Sequence, residues 1–325
     1  AGCAVGAWAI RKFSHRFAVF LTLVLIVELS MFGRGFNPES EPERIQILPA
    51  STRDLMVHPP ESLFRTLPVG KTYPPHLSLR LGMHDIRGND ALTPLVTEDY
   101  VALFAPEIRD AHQLPALRMM WLNQWSSPLV DALNVKYVAI PVTDIDTVPP
   151  DLIPYKTAGG VHLFTNPGCF MRAFVVTAWE YRADDAAVLT ALADPDIALD
   201  TMAIVTGTGK PHQSDAAGSR SDVRIVKYDL HTIAIDVSVE NESMLVLSDT
   251  FYPGWNAYID NQPVECLQVN HMMRGVRISE GTHLAEFRFE PLSWRLGMFL
   301  TLLGLLLIPL SLFSVKPNNR MEVSQ

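Results

Sequence analysis

Two short stretches of the sequence gather side chains that could do chemistry. The first holds His84, Asp85, Arg87, Asn89 and Asp90 within one segment punctuated by Gly82 and Gly88. Such a set can hydrogen-bond sugar hydroxyls or a phosphate. It can equally form a turn-rich loop whose carboxylates accept from their own backbone N–H groups. The second holds Asp249, Tyr252 and Trp255 around Pro253-Gly254. Aromatic faces beside a carboxylate are what stacking on a sugar ring needs; they are also what the rim of an ordinary core looks like. Arg274 and Arg277 flank Gly275 and are expected at the surface, paired with nearby acids or with anionic headgroups.

Other chemistry lacks its residues. Gly207-Thr208-Gly209-Lys210 does not have the glycine spacing of a phosphate-binding loop. The ten histidines fall without His-x-x-x-His or His-Glu-x-x-His spacing, so no metal site is expected. No Gly-x-Ser-x-Gly elbow supplies a hydrolase nucleophile. A net charge of -9 argues against nucleic acid as a partner, because phosphate backbones need a basic surface. Three cysteines make no disulfide framework; one bridge between Cys169 and Cys266 is chemically possible, but nothing in the sequence places them close together, so packed, unpaired thiols are expected.

The elements that must position these residues follow from pattern. Of the 325 residues, 48% are hydrophobic, and two segments concentrate the excess. Residues 17–33 and 296–313 are apolar enough to be membrane helices, with Trp294 and Arg295 at an interface. Arg11, Lys12 and Arg16 precede the first helix, and Lys316 and Arg320 follow the second. Basic flanks mark the cytoplasmic side, so residues from about 34 to 295 are expected outside an inner membrane. The sequence opens within an apolar run, residues 1–10, which looks like the end of a further membrane helix and of a longer protein.

Between the anchors, strands near residues 64–67, 135–140, 161–164, 172–176 and 202–205 alternate with helices near 94–104, 128–133 and 184–193. That alternation predicts an α/β subdomain over residues 34–206. Residues 207–221 form a linker, and short strands over 222–293 predict an antiparallel β-sandwich. Glu280-Gly281 is expected to close a hairpin between the last two strands. A C-terminal helix over 294–315 and a tail over 316–325 complete the expected fold: α-helical membrane anchors, an extracytoplasmic α/β subdomain and a C-terminal β-sandwich.

The run Ser248-Asp249-Thr250-Phe251-Tyr252-Pro253-Gly254-Trp255, with Ala257-Tyr258-Ile259-Asp260, Val269-Asn270, Arg274-Gly275-Val276 and Gly281-Thr282-His283, resembles the C-terminal extracytoplasmic domain of the bacterial YfhO family of polytopic membrane proteins. Arg80, Gly82, Asp85-Ile86, Gly88 and Asp90…Leu92-Thr93-Pro94 are similar to another family segment, with Asn89 where an aromatic often stands. Asp131-x-Leu133-Asn134-Val135-Lys136-Tyr137-Val138 and Asn166-Pro167…Arg172-Ala173-Phe174-Val175 match two more. That family resembles the integral-membrane C-type glycosyltransferases. The resemblance implies a lipid bilayer as partner, a polyprenyl-phosphate sugar as donor, an envelope glycan or lipid as acceptor, and no soluble cofactor. It also implies a catalytic carboxylate in an early external loop, outside this sequence, so no catalytic residue is assigned here. A non-catalytic envelope protein that binds carbohydrate or a protein partner is the alternative.

Overall fold

The computed structural model describes residues 15–34, 63–73, 78, 82–87, 93–106, 108, 122–144, 149–213 and 220–313. Asn89 and Asp90 lie outside these residues. The chain forms two compact units, Ala1–Arg53 and Asp54–Gln325. In the first, α1 (His15–Arg34) is a 20-residue helix whose described side chains, Val19 to Phe32, are all exposed.

The second unit is built mainly of strands. A five-stranded sheet holds β1 (Arg65–Pro68), β2 (His84–Asp85), β3 (Val135–Pro141), β4 (Ile153–Ala158) and β5 (Val161–Thr165) in the order β2-β1-β3-β5-β4. β1 runs parallel to both neighbours, so the chain must cross over between β2 and β3, and α2 (Leu95–Val101) and α3 (Pro128–Ala132) lie in that crossover. Ser127 caps α3 by accepting from the Leu129 N–H. Asn134 ends it at φ 63, a left-handed position that asparagine tolerates.

The remaining strands make two facing sheets. One has the order β10-β11-β17-β13-β14, from β10 (Ser221–Tyr228), β11 (Thr232–Val239), β13 (Trp255–Ile259), β14 (Gln262–Val264) and β17 (Gly281–Phe289). The other has the order β6-β12-β16-β15-β8-β7-β9. It takes β6 (Ala173–Val176), β7 (Ala178–Arg182), β8 (Met202–Thr206) and β9 (His212–Gln213) from before residue 221, and β12 (Ser243–Thr250), β15 (Leu267–Val269) and β16 (Met273–Ile278) from after it. The sandwich is present, but its second sheet runs through the segment expected as a linker, and β9 lies inside that segment. α4 (Asp185–Leu192), capped by Asp184, sits between β7 and β8.

β12 shows why the seven-stranded sheet is central. Leu245 and Leu247 join the sandwich interior with Ile235, Val276 and Phe287, whereas Met244 and Val246 join a second core with Trp179, Val205 and Leu67. Alternate side chains point to opposite faces, so the strand is buried on both. The expected hairpin at Glu280-Gly281 is corrected by pairing: β16 pairs with β12 and β15, whereas β17 pairs with β11 and β13. The turn carries the chain from one sheet to the other. Asp260 and Asn261, both at positive φ, do close a true hairpin between β13 and β14.

α5 (Leu292–Phe313) follows β17 after only Glu290 and Pro291. Its described apolar side chains, Leu292 to Leu307, are all exposed. Among the described residues, no helix is long and apolar enough to cross a membrane. The two stretches expected as membrane anchors are helical, but among the described residues neither is long and apolar enough to span.

Candidate functional site: an arginine-aromatic pocket

Asp249 owes its position to an irregularity in β12. The pairing with β16 runs Leu247 to Arg274 and then jumps to Thr250 opposite Met273, leaving Ser248 and Asp249 unmatched. Such a bulge re-aims side chains that a regular ladder would alternate. Asp249 is 6% exposed and meets three arginines from distant parts of the chain. Arg65 Nη2 lies 3.1 Å from Oδ1, Arg172 Nε 2.9 Å from Oδ1, and Arg274 Nη2 3.1 Å from Oδ2. The Tyr228 hydroxyl donates to Asp249 Oδ2 at 3.0 Å and itself accepts from Arg172 Nη2 at 2.6 Å.

Burial alone would raise the Asp249 carboxyl. The positive charges of Arg172, Arg65 and Arg274 and the Tyr228 hydrogen bond more than reverse this and hold it below the usual carboxylate range. Burial, reinforced by Arg172, pulls the Arg65 guanidinium down to about 10, so it remains charged at neutral pH. A carboxylate that already accepts from Arg65, Arg274 and Tyr228 and is in ion contact with Arg172 is a weak base and a poor acceptor for further hydroxyls.

The arginines are fixed as well. Arg65 Nη1 donates to the carbonyls of Leu133 at 2.8 Å and Ser248 at 2.7 Å, and Arg172 Nη1 donates to the Leu63 carbonyl at 3.2 Å. Arg274 lies under the Trp255 indole, with its guanidinium carbon 3.8 Å from the ring centroid. That is close cation–π geometry. Its Nε and Nη1 are buried and have no hydrogen-bond partner among the described residues.

Asp249, Arg65, Arg274, Tyr228 and Trp255 line a pocket of about 770 Å³ together with Tyr252, Leu230, His231 and Phe289, whereas Arg172 is not part of its lining. The turn that carries Tyr252 is fixed to the root of α5. Gly254 adopts φ +109, and a Cβ there would approach Phe289 and Pro291 to 3.0 Å. The Glu290 N–H donates to the Gly254 carbonyl at 2.7 Å.

Three of the residues singled out in the sequence, Asp249, Tyr252 and Trp255, therefore share this pocket. His84 stands beside it, its ring edge-on to Tyr228 at 6.3 Å. Asp85 and Arg87 do not join. They pair with each other at 2.9 Å, Asp85 Oδ1 accepts from the Arg87 N–H at 2.8 Å, and Arg87 Nη2 donates to the Tyr73 carbonyl at 3.0 Å. That is a local structural clamp. Arg274 is corrected from surface to core: it is 3% exposed, while Arg277 remains outside near Glu265. Sequence reasoning misses Arg65, Arg172 and Tyr228. Their signal is faint: each is a polar residue set directly against an apolar strand.

A second, more polar hollow of about 590 Å³ is lined by Trp179, Tyr181, Lys210, Glu242 and Arg277, with His212 stacked on Trp179 at 4.2 Å. Among the described residues, no group of three or more His, Cys, Asp or Glu could hold a metal ion.

Residues 174–301 match the model of a family described as bacterial membrane protein YfhO. The resemblance read from the sequence holds over that segment, which runs from β6 into α5 and includes Tyr228, Asp249, Tyr252, Trp255 and Arg274. Arg65 and Arg172 fall outside it. The similarity supports a membrane protein associated with a lipid bilayer. No curated protein and no solved structure matches the chain.

Proposed function

We propose that this chain is the membrane-anchored, extracytoplasmic module of a YfhO-type glycosyltransferase. The module holds a ligand for sugar transfer from a polyprenyl-phosphate donor to an envelope polymer or lipid. α1 and α5 are its anchors, and residues from about 34 to 295 lie outside. The observation that carries the reading is the aromatic and cationic pocket set at the root of α5. Trp255, Tyr252 and Tyr228 offer ring faces for sugars. The arginines supply charged donors, and the nearby bare helix ties the pocket to lipid. The chain's own contribution is binding, because Asp249 is already saturated. The catalytic carboxylate belongs to a part of the protein outside this sequence.

The same saturation favours a second reading, a non-catalytic envelope protein that binds carbohydrate or a protein partner. An acidic residue in an upstream external loop separates the two. The test is made in the whole membrane protein. Trp255→Ala combined with Tyr252→Ala should lower sugar incorporation into the envelope acceptor at least about ten-fold, as loss of about 1.4 kcal/mol of binding implies, with protein amount unchanged. Undiminished incorporation overturns the transferase reading. Retention of the chain in the membrane pellet after alkaline carbonate checks the anchoring separately.

A further inference from the structure

We infer that His271 is a proton-sensitive latch: charging its ring in mildly acidic surroundings frees α2 and α4 from the turn between β15 and β16. The latch stands whether or not the arginine pocket binds a sugar.

His271 is 1% exposed, and neither of its ring nitrogens has a hydrogen-bond partner among the described residues. Buried polar side chains nearly always find partners, so two bare nitrogens on one ring mark an exception. Each nitrogen faces a carboxylate just beyond hydrogen-bond range. Nδ1 lies 3.7 Å from Asp185 Oδ1 on α4, and Nε2 lies 3.9 Å from Asp99 Oδ2 on α2. Among the described residues, these two are the charged groups that face the ring. β15 contributes Gln268, whose amide donates to the His271 carbonyl and, at 3.3 Å, to Asp185 Oδ1. β8 contributes Thr206, whose hydroxyl donates to the same oxygen at 3.4 Å. Neutral donors thus engage Asp185 while the ring stays out of its reach.

The turn itself is strained. Asn270 and His271 are consecutive non-glycine residues at positive φ, 46 and 65, a backbone that L-residues adopt only at a cost. β8 pins Asn270: its N–H donates to the Ile204 carbonyl at 2.7 Å, and its Oδ1 accepts from the Ile204 N–H at 2.9 Å. The His271 ring has no such tie, and packing holds it. Val269 and Met272, on either side of the turn, share a core with Tyr100 and Val101 of α2 and with Val188 and Leu192 of α4. A neutral ring suits that slot. An imidazolium there would give up its water, and carboxylates at 3.7 and 3.9 Å return only part of that loss. Burial accordingly holds the ring's pKa below its ordinary value, against the opposing pull of Asp185 and Asp99. The unfolded value is about 6.5. The stability contributed by the neutral ring is therefore complete above that pH and is lost as pH falls from there toward the folded value. Opening the turn lets the ring reach water and take its proton. The effect reaches the arginine pocket, because Pro94, which opens α2, lines that pocket.

Local hydrogen exchange of the full chain in detergent micelles, corrected for the intrinsic pH dependence of amide exchange, tests the latch. A ring that takes its proton only when the turn opens raises the opening constant by up to about ten-fold between about pH 7.5 and about pH 5.5. Amides of α2 and α4 should therefore exchange several-fold faster at the lower pH, while those of β11 and β17 stay unchanged. Asp249 titrates well below this window and adds nothing to the response. His271→Asn, uncharged throughout and tolerant of the left-handed backbone, should abolish the difference. Asp185→Asn removes a carboxylate that favours the charged ring, so it should enlarge the difference. A response that survives His271→Asn, one spread evenly over the sandwich strands, or no response at all overturns the latch. If His271→Asn does not fold, the unaltered chain and Asp185→Asn still decide: a response that is absent, unlocalised or shrunken by Asp185→Asn overturns it.

Discussion

Asp249 is the residue on which the pocket turns. Its charge is the common partner of Arg65, Arg172 and Arg274, so removing it strands three buried cations. Asp249→Asn is therefore expected to cost about 3–5 kcal/mol, measured by denaturant unfolding at neutral pH. The sign of the pH dependence follows from the depressed carboxyl. Its folded-state pKa lies below the unfolded value of about 3.9. Its contribution is complete above that value and is lost as pH falls through the folded pKa. Unaltered protein should lose stability through that acid window, and the Asp249→Asn variant should lack this part of the loss. The thiols make a second prediction at this scale. Burial pushes Cys169 up to about 12 and Cys266 to about 11, so both are protonated at neutral pH. Iodoacetamide should label them slowly in native protein and quickly after unfolding. Rapid native labelling would contradict their packing. Asp249, Tyr252 and Trp255 are legible in the sequence because aromatics and an acid crowd one turn. Arg65 is not, because its partner is 184 residues away and a lone arginine in a strand suggests a solvent-facing position.

Among the elements, strand existence is readable and strand partnership is not. Alternation in residues 283–289 gives one buried face, and Ala285 and Phe287 do point inward. Alternation says nothing about which sheet receives the strand, and so Glu280-Gly281 resembles a hairpin in the sequence. β4 and β7 escape a sequence reading: Ile153–Ala158 is largely exposed, and Ala178–Arg182 carries one fully buried side chain, Trp179. Two turns give tests. Gly254→Ala meets both a positive φ and contact with Phe289 and Pro291, so a loss of about 1–3 kcal/mol is expected by thermal or denaturant melting. At Asn261, φ 65 admits glycine or asparagine but resists a β-branched residue. Asn261→Val should cost about 1–2 kcal/mol, while Asn261→Gly should leave the melting temperature unchanged or raised. A valine variant as stable as the parent would mean that the turn had re-formed in another geometry.

At the scale of the molecule, the seven-stranded sheet binds together stretches that composition separates. The low-periodicity segment after Thr206 suggests a boundary, yet β6 to β9 complete a sheet whose centre is β12, β16 and β15. A chain begun at residue 222 would bare Met244, Val246 and Met273 on the face they share with Trp179 and Val205. Such a chain is expected to lack a cooperative unfolding transition by circular dichroism, whereas one begun at residue 54 should retain it. The joint between β17 and α5 has its own consequence. Two residues, one of them a proline and the other tied to Gly254, leave no slack for a swivel. If α5 stands in lipid, its lean varies with the thickness of the hydrocarbon layer. A stiff neck turns that lean into lift, as a mast carries its yardarm, so the arginine hollow would ride higher or lower over the headgroups as the surrounding lipids lengthen or shorten.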